Sequence, residues 1–196
     1  MKNISQLQNV LGRRRAKTRL LRRFMVRSSV AAIVRECENT PGQLEVLLIK
    51  RAERQGDRWS GHMAFPGGRE EKADKSIRGT AIRETSEEIG LDLPEYNYMG
   101  RLSDVMTLAH GTKKPMVVSP YVFRLAGQPK LKLNHEVAEV VWLPLSFIAD
   151  SANRDSMRWE KNGVGMNLPC YHYNGYTIWG LTLRMLDELT HLAVHQ

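Results

Sequence analysis

The stretch that most constrains this chain is a glycine loop, Phe65-Pro66-Gly67-Gly68, followed by Arg83-Glu84-Thr85-Ser86-Glu87-Glu88-Ile89-Gly90-Leu91. The segment from Ser76 to Ile89 contains no proline and reads as a helix. Its step of roughly 100° per residue sets Glu84, Glu87 and Glu88 in one arc, with Ile82, Thr85 and Ile89 opposite. Gly90 reads as the left-handed residue that ends the helix, and Leu91 as the residue that turns back onto the core. Like charges three and four residues apart repel by about 0.2–0.5 kcal/mol per pair, and they sit near the negative end of the helix dipole. Such a face is either a solvated acidic surface or a seat for cations. Carboxylate oxygens in this number suit Mg²⁺ or Mn²⁺. Glu84 and Glu88, four residues apart, are the leading ligands, with Glu87 as a further ligand or a base. Arg83 can orient a carboxylate through a bidentate pair. Gly67 and Gly68 let the backbone turn sharply and approach a ligand, as glycines in a plain turn also would.

The pattern resembles the box of the Nudix hydrolase family, G-x5-E-x7-R-E-U-x-E-E-x-G-U, where U is aliphatic. Five residues separate Gly68 from Asp74, which stands at the first glutamate position; eight rather than seven lead on to Arg83, and Thr85 takes the aliphatic place. Asp74 and the longer spacing are similar to the coenzyme A diphosphatase branch, as are Val137 to Leu145 and Ile178-Trp179-Gly180-Leu181-Thr182. One element departs from that branch: Trp59-Ser60-Gly61-His62 stands where His-x-Gly-Gln is usual. The resemblance implies an α/β/α sandwich around a mixed sheet, metal held by Glu84, Glu87 and Glu88, and hydrolysis of a nucleoside-diphosphate-linked compound. Coenzyme A or an acyl-CoA leads the candidates, ahead of NADH, ADP-ribose, nucleotide sugars and dNTPs. A nucleotide- or RNA-binding module without turnover is the competing class. Glu87, Glu136 and Glu139 all stand as candidates for the general base; Glu139 lies where some relatives place it, and equally reads as the exposed charge of an alternating strand.

With 196 residues and 42% hydrophobic content, the chain can bury one sizeable core. The domain reading is a basic extension over residues 1–25 and a catalytic domain over 26–196. No apolar run reaches the ~20 residues that span a bilayer, and no secretory signal is evident. Cys37 and Cys170 have no zinc-like spacing, so both read as reduced thiols in a cytoplasmic protein. The net charge of +8 is concentrated: residues 1–27 hold nine Lys or Arg and no acid, leaving the rest near neutral. From Leu7 to Met25 the apolar spacing fits an amphipathic helix interrupted at Gly12 and the arginine run. Its open roles are a basic helix packed on the body, a funnel for polyanionic substrate, nucleic-acid or membrane contact, and an organelle transit peptide. Nothing in the pattern fixes an oligomeric state.

Strands are expected at Ser28–Glu36 and Leu44–Arg51, on either side of the turn Asn39-Thr40-Pro41-Gly42, then at Tyr96–Leu102, Val117–Leu125 and Glu136–Leu143. A helix is expected from Leu181 to Leu192. Trp59 and Phe65 are candidates to stack on a base, and His62 and His110 to meet phosphate or base, although such side chains are more often core or simply exposed. Asp74 is expected to cap the acidic helix.

Overall fold

The computed structural model describes residues 2–38, 40–56, 59–109, 114–161 and 164–195. His110 and Asn39, named above, lie outside them. Helix α1 (Ile4–Arg13) leads through a 3₁₀ turn (Arg22–Phe24) into β1 (Val26–Glu36) and β2 (Leu44–Arg51). The short strands β3 (Met63–Ala64) and β4 (Gly67–Arg69) precede the acidic helix α2 (Ile77–Ile89). There follow β5 (Tyr98–Arg101), β6 (Val105–Leu108), β7 (Pro115–Arg124), β8 (Val137–Pro144), α3 (Leu145–Ala149), β9 (Arg154–Lys161), β10 (Val164–Tyr173), β11 (Tyr176–Trp179) and α4 (Gly180–His195).

Strands β1–β8 form one mixed sheet in which β1 and β7 run parallel and their neighbours antiparallel. Residues Ser28 to Arg35 of β1 are all buried, because both faces of the sheet are covered. Val30, Ala32 and Val34 face a core completed by α1, α3, α4 and the small sheet, whereas Ala31 and Ile33 face Ala81 and Ile89 of α2. The expected α/β/α sandwich is the observed one.

The register between β1 and β2 covers only Val34↔Val46 to Glu36↔Leu44, and beyond it the two strands part. Residues 63–69 enter the gap: β3 pairs with β2, β4 pairs with β1, and the Ala31 amide donates to the Pro66 carbonyl at 2.8 Å. The glycine loop is thereby held inside the sheet.

Two expectations change. The N-terminal helix stops at Arg13, and Leu20, Leu21 and Phe24 are exposed instead of lining an apolar face. Leu7 and Leu11 are nonetheless fully in the core, and an Asn3–Gln6 capping box starts α1. The chain from Arg154 to Trp179 forms a three-stranded antiparallel sheet that was not anticipated. Its signal was present in Asn174-Gly175, a two-residue hairpin turn with φ of 48° and 83° between the paired Tyr173 and Tyr176.

Candidate active site

Ser76, not Asp74, caps α2: its hydroxyl accepts from the Gly79 amide at 3.0 Å. Gly90 ends the helix in the left-handed conformation. Thr85 is tolerated on the buried side because its hydroxyl donates to the Ala81 carbonyl at 2.7 Å, which leaves its methyl to pack.

Asp74 instead anchors Arg83. The guanidinium donates through Nε to Asp74 Oδ1 at 2.9 Å and through Nη2 to Oδ2 at 3.2 Å, while the Thr80 hydroxyl and Glu71 amide also donate to Oδ2. This ring of donors, with Arg83 foremost, holds the Asp74 carboxyl down at about 2. Arg83 further pairs with Glu87 at 2.9 Å and Glu84 at 3.0 Å.

The side of α2 toward the sheet is different. Glu88 is 2% exposed, and its Oε2 accepts from the Gly67 amide at 2.8 Å. Burial raises its carboxyl to about 7 against that hydrogen bond, with the charges of Glu84 and Glu136 adding to the rise and Arg51 opposing it. Glu84 is raised by the same burial, partly offset by Arg83, with Glu87 and Glu136 pushing it up. Glu136 arrives here because the Lys132 and Asn134 amides cap the Ile89 and Glu88 carbonyls at the end of α2.

The glycines serve the carboxylates and do not present a free phosphate cradle. The Gly67 amide is spent on Glu88, and the Gly68 carbonyl accepts from the Ser28 hydroxyl at 2.7 Å. Gly67 has φ of 150°, and a methyl there would lie 2.2 Å from the Ser29 carbonyl; one on Gly68 would lie 2.3 Å from Glu84 Oε1.

Glu84, Glu88, Gly67 and Gly68 open into a cleft of about 1160 Å³ between the main sheet and the wall formed by the small sheet and α4. Trp59 and His62 line it, with His62 edge-on to Trp179 at 5.0 Å. Phe65 borders the cleft but is 2% exposed, so most of its ring surface is taken up by the core. Glu87 is directed to Arg83, with its side chain 55% exposed. Glu139 is outside this cleft. It accepts from the Tyr176 hydroxyl and borders a separate, smaller cavity. Among the cleft-lining residues that sequence reading missed are Arg51, Arg69, Arg154, Trp159, Arg184 and Asp187. The Ile178–Thr182 run turns β11 into α4 at Gly180, and the Thr182 hydroxyl donates to the Met63 carbonyl at 2.9 Å, clamping the wall to the loop.

The NUDIX domain family model matches residues 25–160. This chain belongs to the Nudix hydrolase family. An uncharacterized protein of Schizosaccharomyces pombe, C14C4.10c, is 45% identical over 52% of the chain, and the match spans only 32% of that relative's own length. Mitochondrial coenzyme A diphosphatase NUDT8 of Homo sapiens is 31% identical over 82% of the chain and 67% of the relative. A MutT/nudix family protein from Enterococcus faecalis superposes with a TM-score of 0.57 at 16% identity over 98% of the chain and 73% of that structure, a likeness of fold.

Nudix hydrolases use divalent metal ions, and the Nudix helix of this chain fits one. Glu84 and Glu88 are carboxylates raised first by burial and then by neighbouring carboxylates, Glu87 and Glu136 for Glu84, and Glu84 and Glu136 for Glu88, the condition a cation relieves. Among the described residues no three His, Cys, Asp or Glu side chains are already gathered as a ligand set. Arg83 engages both Glu84 and Glu87, so Glu87 would have to turn from Arg83 to join Glu84 and Glu88 on an ion.

Proposed function

We propose that this chain is a Mg²⁺- or Mn²⁺-dependent diphosphatase that cleaves coenzyme A or an acyl-CoA at its diphosphate, giving 3′-phospho-AMP and the 4′-phosphopantetheine half. The carrying observation is the buried Glu88 with the partly buried Glu84 beside it, at one end of a cleft whose far wall carries Trp159, Leu168, Trp179 and Leu181 together with Arg154 and Arg184. Glu84 and Glu88, joined by Glu87 from the same helix, would hold the metal, which would neutralise diphosphate oxygens and acidify the attacking water. Gly67 N–H fixes Glu88, and Arg83 steadies Glu84 and Glu87 against Asp74. Of the base candidates, Glu136 is favoured over Glu139: it lines the cleft beside Glu84 and Glu88, whereas Glu139 faces Tyr176.

The cleft volume of about 1160 Å³ exceeds the ~300–1,000 Å³ usual for small-molecule sites and suits a ligand with both a nucleotide and a long arm. Arg184 supplies positive charge on the α4 side, where Arg154 is already paired with Asp187 at 2.8 Å, and Leu168, Leu181 and Met185 give an apolar surface for the arm. The name of the human relative supports the same substrate. In this reading residues 26–196 are the catalytic unit, and residues 1–25 stay with it in the cytoplasm. Leu7 and Leu11 in the core favour a retained segment over a cleaved leader.

The test is turnover of CoA, acyl-CoAs, NADH, ADP-ribose, a nucleotide sugar and dNTPs with each metal, with products identified by mass. CoA or an acyl-CoA should have the highest kcat/KM. A value for both that is more than about tenfold below another substrate's, near 1.4 kcal/mol of transition-state binding, would overturn the substrate while leaving the diphosphatase.

A further inference from the structure

Between α1 and β1, residues 14–25 form a strap whose backbone is fastened to the body. The Asp104 amide donates to the Lys17 carbonyl at 2.9 Å, Asp104 Oδ2 accepts from the Arg19 amide at 3.0 Å, and Ser103 Oγ accepts from the Lys17 amide at 3.2 Å. Asp104 is itself buried, held by Arg101 and the Ser119 hydroxyl, and Arg14 pairs with Glu188. A strap anchored in this way cannot fold its next residues inward, and it presents them. Leu20 is 94% exposed, Leu21 56% and Phe24 73%, three large apolar side chains within five positions.

Around them Arg13, Arg15, Lys17, Arg19 and Arg23 are exposed, and among the described residues none has a carboxylate partner; Arg23 lies over the Phe24 ring at 4.7 Å. Apolar side chains displayed together on a soluble body mark a contact surface. The occupant is constrained by charge and shape. A second copy would bring the same cations against these and be repelled. A nucleic acid would satisfy the cations, but Leu20 and Leu21 have no ring face on which a base can stack. An anionic bilayer satisfies both sets at once, with lipid phosphates for the cations and the acyl boundary for the apolar tips.

We propose that the strap, with Arg13 at the end of α1, is a docking surface for anionic phospholipid membranes, with Leu20, Leu21 and Phe24 entering the acyl boundary and the five cations meeting headgroup phosphates. The strap runs straight into β1, whose first residue, Val26, is in register with Met116 of the cleft wall. Docking therefore holds the cleft close to the lipid surface.

The experiment is co-sedimentation of the full chain with phosphatidylcholine vesicles, with and without about 30 mol % phosphatidylglycerol, at low and high salt. The chain should pellet with the anionic vesicles only. Leu20→Ser combined with Phe24→Ser should lower partitioning by about tenfold or more, and Arg15→Glu with Arg19→Glu and Arg23→Glu should abolish it. Both variants should keep the wild-type kcat on a soluble substrate and the same thermal midpoint. Pelleting that is equal with neutral vesicles, or absent with both, overturns the proposal. So does salt-sensitive RNA binding that survives Leu20→Ser/Phe24→Ser while no vesicle binding is seen.

Discussion

Asp74 and Glu88 are buried carboxylates on the same loop-and-helix unit, and they hold their protons with opposite strength. Asp74 sits among donors headed by Arg83 and is kept ionised down to about 2. Glu88 sits among other carboxylates, has one main-chain donor, and is raised to about 7. The first side of the unit is electrostatically complete. The second is complete only with a cation, and it is the side that opens into the cleft. The contrast separates the part of the Nudix motif that holds its helix in place from the part to which the proposed chemistry is assigned.

The sharpest break of that comparison is on the cleft side. Glu88→Gln and Glu84→Gln should each reduce kcat at saturating metal by at least about a hundredfold, because each removes a charged ligand at the developing phosphate charge. Circular dichroism should show the fold intact, and without metal the melting point should hold or rise as repulsion is relieved. Near-normal turnover by both would take the Nudix helix out of the mechanism.

On the structural side, Arg83→Ala leaves Asp74 buried without its cation, a loss of about 3 kcal/mol by analogy with broken buried pairs. It also releases Glu84 and Glu87. Urea unfolding should show the stability loss, and kcat should fall by about tenfold or more. Gly68→Ala should separate the two effects. Its methyl meets the movable end of Glu84, so kcat should fall by roughly tenfold with little change in unfolding midpoint. At Gly67 the obstacle is the backbone itself, and Gly67→Ala should cost stability as well.

Acid and base limbs of stability should report the two carboxylates separately. Asp74 is lowered from 3.8 to about 2, so its contribution is present above about 4 and is lost as pH falls toward 2. Glu88 is raised from 4.5 to about 7, so between those values the folded state binds more protons than the unfolded one, and stability falls as pH rises. In EDTA the urea midpoint should therefore be higher near pH 4.5 than near pH 7.5. Mg²⁺ should flatten that falling limb. An EDTA profile that rises from pH 4.5 to 7.5 would remove the account of Glu88.

The smallest effect is expected outside the cleft. Glu139→Gln should change kcat by less than about twofold, whereas Glu136→Gln should lower it by about tenfold or more and shift the pH–rate profile. The reverse ranking would return the base to Glu139.

The sequence alone determined the α2 helix, its glycine end, the arc of carboxylates and the strands beside it, Ser28–Glu36, which the fold extends back to Val26, and Leu44–Arg51, because these depend on short-range periodicity and on residues with few conformational options. It also showed which residues are acidic, but not which of them would be satisfied. Tertiary structure decided that Asp74 holds Arg83 instead of capping the helix, that Gly67 donates to Glu88, and that Glu136 rather than Glu139 enters the cleft. Those outcomes depend on the parting of β1 from β2, on the loop that caps α2 through Lys132 and Asn134, and on the small sheet over the cleft. The same holds for Leu20 and Phe24, whose helical spacing in sequence gave way once the Lys17 and Arg19 amides bonded to Ser103 and Asp104, about 85 residues downstream. Periodicity sees a few turns of chain. The proton affinity of a carboxylate and the exposure of a leucine are set by neighbours that only the folded chain brings close.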